Sequence, residues 1–353
     1  MHSPRKIEFE SLIKKVENHK NDKLPLVMYC LPGDTVIRAL FQKDDVLHHI
    51  KDFKERGFVF APFDNSLQTI VLKSNTSYIS DFEVSTQIES GKKEVVTNDE
   101  AFHLELVKKG IQEIRSGKLK KVVLSRQVQV ETEKKELSIF KSALHKYPTA
   151  LRYLWYHPKV GTWIGASPEQ LLKVEGNQIH TTSLAGTLPV IDNNNPEWSQ
   201  KEFIEQQMVT DFLKEEIAEF VNDIKTTKVS SVKAGKLWHL KTNITADLKS
   251  FDQLKPLLKR IHPSPAVCGV PKDLAKKFIL EYESYRRNYY TGFLGELNLT
   301  QEHSTSLYVN LRCMSLDANQ ATIFIGGGIT EASNPEMEWQ ETNNKCQTML
   351  SLL

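Results

Sequence analysis

Apolar and polar residues alternate from Lys121 to Val130, with Val122, Leu124, Val128 and Val130 on one face and Lys121, Val123, Ser125, Gln127 and Gln129 on the other. A period of two is that of a strand, and it points Lys121 away from the aliphatic face. Similar patterns predict strands at Ala150–His157, Thr162–Ala166, Gln178–Thr182, Lys236–Ile244, Thr291–Leu299 and Ser306–Leu316, and short strands between Leu24 and Glu83. Ser183–Thr187 reads as a loop, and Gly326, Gly327 and Gly328 as a glycine-rich turn that exposes backbone N–H groups.

Helical periodicity marks residues 7–19 and the stripe Phe102, Leu106, Val107, Ile111 and Ile114, which a Thr97/Glu100 capping box opens and which ends near Gly117. Asn195 and Pro196 open the longest predicted helix, which runs to about Asn222. Two more helices are expected around Phe251–Ile261 and Pro271–Arg287. A last one is expected from Glu336 to Leu353, with Asn334 as N-cap and Pro335 as its first residue. Blocks of strands alternate with helices without a strict βαβ rhythm. The expectation is therefore an α+β fold with large, mostly antiparallel sheets in two sub-layers flanked by helices. No linker, repeat or low-complexity tract divides the 353 residues, so one domain is expected: residues 1–97 as scaffold and 98–353 bearing the motifs.

Composition narrows the function. The 46 Lys and Arg nearly balance the 44 Asp and Glu, too even for a chain built to bind nucleic acid. Four scattered cysteines form no C-x-x-C pair, as in reduced cytoplasmic proteins. No apolar run is long enough for a membrane, and no heptad seam marks a partner, so a cytoplasmic monomer is expected.

The candidate chemistry is carried by charged residues. Glu338, Glu341 and Lys345 recur at i, i+3 and i+7, which aligns two carboxylates and an ammonium on one face of the last helix. That spacing suits an anion held through a metal ion, and equally an ordinary solvated face. Glu205 precedes Met208, Val209 and Phe212 at i+3, i+4 and i+7, which places it on an apolar stripe. A carboxylate buried there needs a cation or a metal, while one at the stripe edge reaches water. Glu169 follows Gly165-Ala166-Ser167-Pro168 where a strand ends; it is either a mounted catalytic group or a first-turn acid. His239 alternates onto a strand face with Leu237 and Lys241. Arg312 is predicted to lie inside a strand facing the same side as Tyr308 and Asn310, and there it needs a protein or ligand carboxylate. The chain contains no G-x-S-x-G, Walker A, G-x-G-x-x-G or H-E-x-x-H motif. What remains is acid and base chemistry with a hard cation, and a carboxylate set without His or Cys suits Mg²⁺.

Seven segments in order, Lys121–Arg126, Gly165–Glu169, Leu184–Thr187, Leu237–Leu240, His262–Gly269, Asn310–Arg312 and Gly326–Ile329 through Glu338–Glu341 to Lys345, resemble those of the chorismate-utilising enzymes over about residues 100–350. The likeness is strongest to members that turn chorismate into isochorismate. The resemblance implies chorismate as the small-molecule partner. It also implies Lys121 as the base activating water for attack at C2, and Glu169 as the acid protonating the departing C4 hydroxyl. His239 would face the ring hydroxyl. Glu205 and Glu341 would hold Mg²⁺, with Glu338 beside them. Arg312 and Tyr290 would grip the enolpyruvyl carboxylate, Gly186 and Gly326 would offer close backbone contacts, and Lys345 would balance the carboxylates. Anthranilate-forming relatives usually have glutamine where Lys121 stands. Aminodeoxychorismate synthases usually have a nucleophilic lysine in place of Ala185. Salicylate-forming ones commonly have threonine in place of Ala266, so Ala266 favours stopping at isochorismate. Gln206, Gln207 and Leu188 depart from the family's usual residues, which leaves the surroundings of the site open.

Overall fold

A computed structural model describes residues 4–83, 99–190, 195–234 and 237–353. The chain begins with β1 (Arg5–Lys6), α1 (Phe9–Asn21), β2 (Leu26–Cys30), β3 (Val36–Phe41), β4 (Gly57–Ala61), β5 (Ile70–Leu72) and β6 (Thr76–Asp81). Next come α2 (Glu100–Arg115), β7 (Lys121–Glu131), α3 (Glu136–Lys146), β8 (Leu151–His157), β9 (Gly161–Ser167), β10 (Gln170–Glu175), β11 (Gln178–Pro189) and α4 (Gln200–Ala218). Then follow β12 (Val221–Thr226), β13 (Ser230–Ala234), β14 (Leu237–Leu248), α5 (Leu254–Ile261), β15 (Gly269–Val270) and α6 (Lys272–Tyr282). The chain closes with β16 (Phe293–Leu297), β17 (Ser304–Val309), β18 (Cys313–Asp317), β19 (Gln320–Ile329) and α7 (Pro335–Leu350).

The strands form two sheets. One runs β1-β6-β3-β2-β8-β9-β18-β19-β7-β15, the other β12-β14-β11-β10-β17-β16-β4-β5 with β13 on β14. Pairing is antiparallel apart from β1 with β6. Alternation along each strand gives both sheets two apolar faces, so each is covered twice. The inner faces meet in an aromatic core of Tyr29, Phe58, Phe60, Tyr153, Trp155, Trp163 and Phe324. Outside the first sheet, α1, α3 and α7 pack on Ile164, Ile323 and Ile325. Outside the second, α4 and α5 pack on Leu172, Ile179 and Ile244, while α2 and α6 close over Val122 and Leu124 of β7. The α+β architecture with sub-layered antiparallel sheets holds. Among the described residues no helix is long and apolar enough to cross a membrane.

Several local expectations are overturned. Ser183–Thr187 is strand, the middle of β11, because β14 pairs with it along nearly its whole length. The long helix begins at Gln200, not at Asn195-Pro196, and stops at Ala218, after which Phe220 and Val221 turn back to start a strand. Gly326–Gly328 is no turn; the three glycines lie within β19, opposite Ser125, Leu124 and Val123 of β7. Phe102 is exposed and does not join the α2 stripe, which instead buries His103. Thr97 lies outside the described residues, and Asp99 holds the N-cap position of α2. Asn334 caps α7 as expected, accepting from Met337 N at 2.9 Å.

Two passages between the sheets matter most for the site. The chain leaves the first sheet at Ser167 and enters the second at Gln170; it makes the reverse passage from Val309 to Cys313. Ser306–Leu316 is therefore not one strand but two, in different sheets. The passages are laced together: Ser167 Oγ donates to Val309 O, Val309 N to Glu169 O at 3.0 Å, and Ala166 N to Arg312 O at 3.0 Å.

Candidate active site

Glu169 and Arg312 stand on these adjacent passages, which explains why neither sits in a strand. Arg312 adopts a left-handed φ of 48°, uncommon for a residue with a side chain, and so leaves the run of Tyr308 and Asn310. Its guanidinium makes no hydrogen bond or ion pair among the described residues, and burial lowers its pKa. A half-buried cation without a protein carboxylate is suited to an anionic ligand.

Lys121 opens β7 beside β15 and extends over β19. A Cβ placed on Gly328 would lie 3.0 Å from Lys121 Cε and 3.6 Å from Nζ, so the bare strand gives the lysine its path. Burial lowers the Lys121 pKa, against the opposing fields of Glu205 and Glu169; Lys345 adds to the lowering. Glu169 moves the other way. Burial raises its carboxyl to about 7, with Lys121 pulling it back. A lysine made easier to deprotonate therefore shares a site with a carboxyl that stays partly protonated near neutrality.

His239 on β14 is half-buried, with Nδ1 3.0 Å from Gly186 O. Gly186 has φ 71° at the irregularity between Ala185 and Thr187 in β11, a conformation glycine adopts without steric cost. Burial lowers the His239 pKa, and Arg312 and Lys345 add to the lowering. Ala266 is exposed and lines the same small cavity as Glu169. Tyr290 is buried, stacked on Phe324 with ring centroids 5.4 Å apart. Its hydroxyl lies 3.0 Å from a Cβ placed on Gly326.

The three expected metal carboxylates are not gathered. Glu205 is exposed, and so is Met208, contrary to the apolar stripe expected there: the buried face of α4 is Gln206, Thr210, Leu213 and Ile217, about one residue's rotation away. Gln206 Nε2 donates to Ser183 O, Ser183 Oγ and Thr242 Oγ1 at 2.9–3.2 Å, which offsets the burial of its amide nitrogen, while its Oε1 has no partner among the described residues. Among the described residues no three His, Cys, Asp or Glu side chains converge to hold an ion. Glu338 approaches Gly327, with Oε2 3.2 Å from a Cβ placed there, whereas Lys121 crosses Gly328.

Glu338 and Glu341 nevertheless fit a hard cation. Glu338 Oε1 accepts from Ser333 at 2.7 Å, but its Oε2 is buried without a partner among the described residues. Burial raises its pKa, and Glu341 adds to this. Lys345 neutralises part of this charge, 2.6 Å from Glu341 and donating to Gly326 O at 3.1 Å. A pair of carboxylates is a sufficient protein share for Mg²⁺, which keeps waters and ligand oxygens for its other positions.

One supporting group has no distinctive pattern in the sequence. Glu283 and Arg287 form a buried ion pair, Arg287 Nη2 2.5 Å from Glu283 Oε1. Arg287 also donates to Val123 O at 2.7 Å and Val267 O at 2.9 Å, and Glu283 accepts from Ser125 N at 2.8 Å. The pair thus ties β7, behind Lys121, to the Ala266 segment. Its i, i+4 spacing was visible, but in a stretch read as an ordinary helix, whereas α6 ends at Tyr282.

Residues 43–353 match the family of chorismate binding enzymes, across both passages and all the groups above. The chain belongs to this family. Among curated chorismate-binding enzymes it is 28% identical over 304 residues to isochorismate synthase of Pasteurella multocida, covering 78% of this chain and 67% of that one. It is 30% identical over 265 residues to isochorismate synthase of Bacillus subtilis, covering 69% and 65%. The matched stretch is thus about two thirds of the length of these relatives. A solved structure named as a 2,3-dihydroxybenzoate-specific isochorismate synthase from Bacillus anthracis superposes with a TM-score of 0.77 at 25% identity, over 95% of this chain and 98% of that one.

Proposed function

We propose that the chain converts chorismate into isochorismate. Lys121 takes a proton from the water that attacks C2, and Glu169 gives one to the hydroxyl leaving C4. The observation that carries this reading is the opposed pair: a lysine lowered by burial facing a carboxyl raised to about 7. The names of the relatives support the same reaction.

In this reading Arg312 receives the enolpyruvyl carboxylate, with Tyr290 beside it at the glycine strand, and His239 and the Gly186 backbone border the ring. Glu338 and Glu341 would hold Mg²⁺, with Lys345 between them and the strand and Glu205 nearer Lys121. When bound, the ion supplies positive charge for the ring carboxylate. The residues themselves orient the ring and hold the two protons in place. The isochorismate formed would serve menaquinone or catechol siderophore synthesis.

The test is product analysis of the purified protein with chorismate and Mg²⁺, with and without EDTA. Isochorismate without pyruvate, lost in EDTA, is the expected result. Salicylate with pyruvate would replace the isomerase by a lyase, and unchanged chorismate would make the chain a binder.

A further inference from the structure

Each turnover of the proposed reaction leaves Lys121 one proton richer and Glu169 one poorer. The acid must recover its proton before the next substrate, and no hydrogen bond joins Glu169 to Lys121 that would return it directly. The structure holds a second opening on Glu169. A cavity of about 30 Å³, room for about one water, is lined by Glu169, Gln170, Thr181, Thr182, Ser264 and Ala266 among others. Lys121 does not line it.

Ser264 gives this cavity its chemistry. It is nine-tenths buried, and its Oγ has no hydrogen-bond partner among the described residues. Neighbouring hydroxyls are committed elsewhere: Thr181 Oγ1 donates to Leu171 O at 2.8 Å. A buried hydroxyl left without a partner is costly, and in a wall that is otherwise mostly apolar the water-sized cavity beside it is where that cost is recovered. The backbone of Ser264 is fixed, its carbonyl accepting from Val267 N at 3.1 Å and Cys268 N at 2.9 Å, so the side chain stays in the cavity wall. Thr182 and Leu184, on the outer side, are not buried and lead towards solvent.

We propose that this cavity binds a water which Ser264 holds against Glu169, and through which the acid regains its proton from solvent after each turnover. The inference rests on Glu169 being the acid of the proposed reaction. The step is a proton transfer only: the spent carboxylate takes a proton from the held water, which takes one from a solvent or buffer acid. Ser264 is a positioning residue; it does not touch the reacting atoms.

The experiment compares Ser264→Ala with the unaltered enzyme in single-turnover and steady-state assays, across concentrations of a small buffer acid such as imidazolium. The expected result is an unchanged single-turnover rate with kcat lowered about three- to tenfold, restored by rising buffer concentration and by Ser264→Thr. Equal loss in both assays without buffer rescue would make Ser264 structural and overturn the proposal, as would no loss at all. A high-resolution crystal structure without a water between Ser264 and Glu169 would also overturn it. Failure of the underlying reading has a different signature: Glu169→Gln would then keep full single-turnover activity.

Discussion

Lys121 crosses β19 at Gly328 so closely that a Cβ there would sit 3.0 Å from its Cε. The atom met is the far end of a flexible side chain, so Gly328→Ala should displace the ammonium and leave the sheet intact. The expected outcome is loss of tenfold or more in kcat/KM, since small misplacements of a catalytic group are costly. Stability should change by under about 1 kcal/mol. Steady-state kinetics beside a thermal melt checks both; full activity would show that the lysine need not hold this path.

Lys121→Gln replaces the proposed base with a neutral polar side chain one atom shorter. It should lower kcat by about 10²–10⁴ while chorismate still binds, as measured by calorimetry. Equal loss of binding would reassign Lys121 to substrate capture.

The pH dependence of turnover should be bell-shaped. Glu169 must be protonated, so activity falls as pH rises through about 7; Lys121 must be neutral, so activity also falls on the acid side. Stability follows from the same shift. The Glu169 pKa in the fold lies above its ordinary value, so its favourable contribution is complete below pH 4.5 and is lost as pH rises through about 7. Glu169→Gln should therefore stabilise the protein at pH 8 by up to about 3 kcal/mol, and much less at pH 5. A stability gain independent of pH would rule out the raised carboxyl.

Arg287→Ala strands Glu283 in the interior and frees Val123 O and Val267 O. It should cost about 3–5 kcal/mol in urea unfolding. A loss below about 1 kcal/mol would mean that water reaches the pair.

Glu341 is exposed, so Glu341→Ala should leave the fold within about 0.5 kcal/mol. It should abolish the rise in melting temperature on adding Mg²⁺ and the Mg²⁺-dependent activity together. A Mg²⁺ shift that survives would move the ion to other carboxylates.

The strand at Lys121, the cap at Asn334 and the face of α7 that carries Glu338, Glu341 and Lys345 were legible in the sequence because period, capping and helical spacing are local. The same logic failed at Glu205. A weakly amphipathic helix offers two plausible faces, and only the hydroxyls of Ser183, Thr210 and Thr242 made Gln206 the buried one. It failed again at Gly326–Gly328, where glycine suggests a turn although pairing with β7 and the close approach of Lys121 and Glu338 demanded a strand without side chains.

The sequence by itself determined which residues carry charge and how they are spaced, and hence the expectation of an α+β chain with candidate acid and base groups. Only the tertiary structure decided that Glu169 and Arg312 stand on two adjacent passages between sheets, and that Lys121 loses proton affinity where Glu169 gains it. Those outcomes depend on burial and on fields between residues far apart in the chain, and no local pattern encodes either.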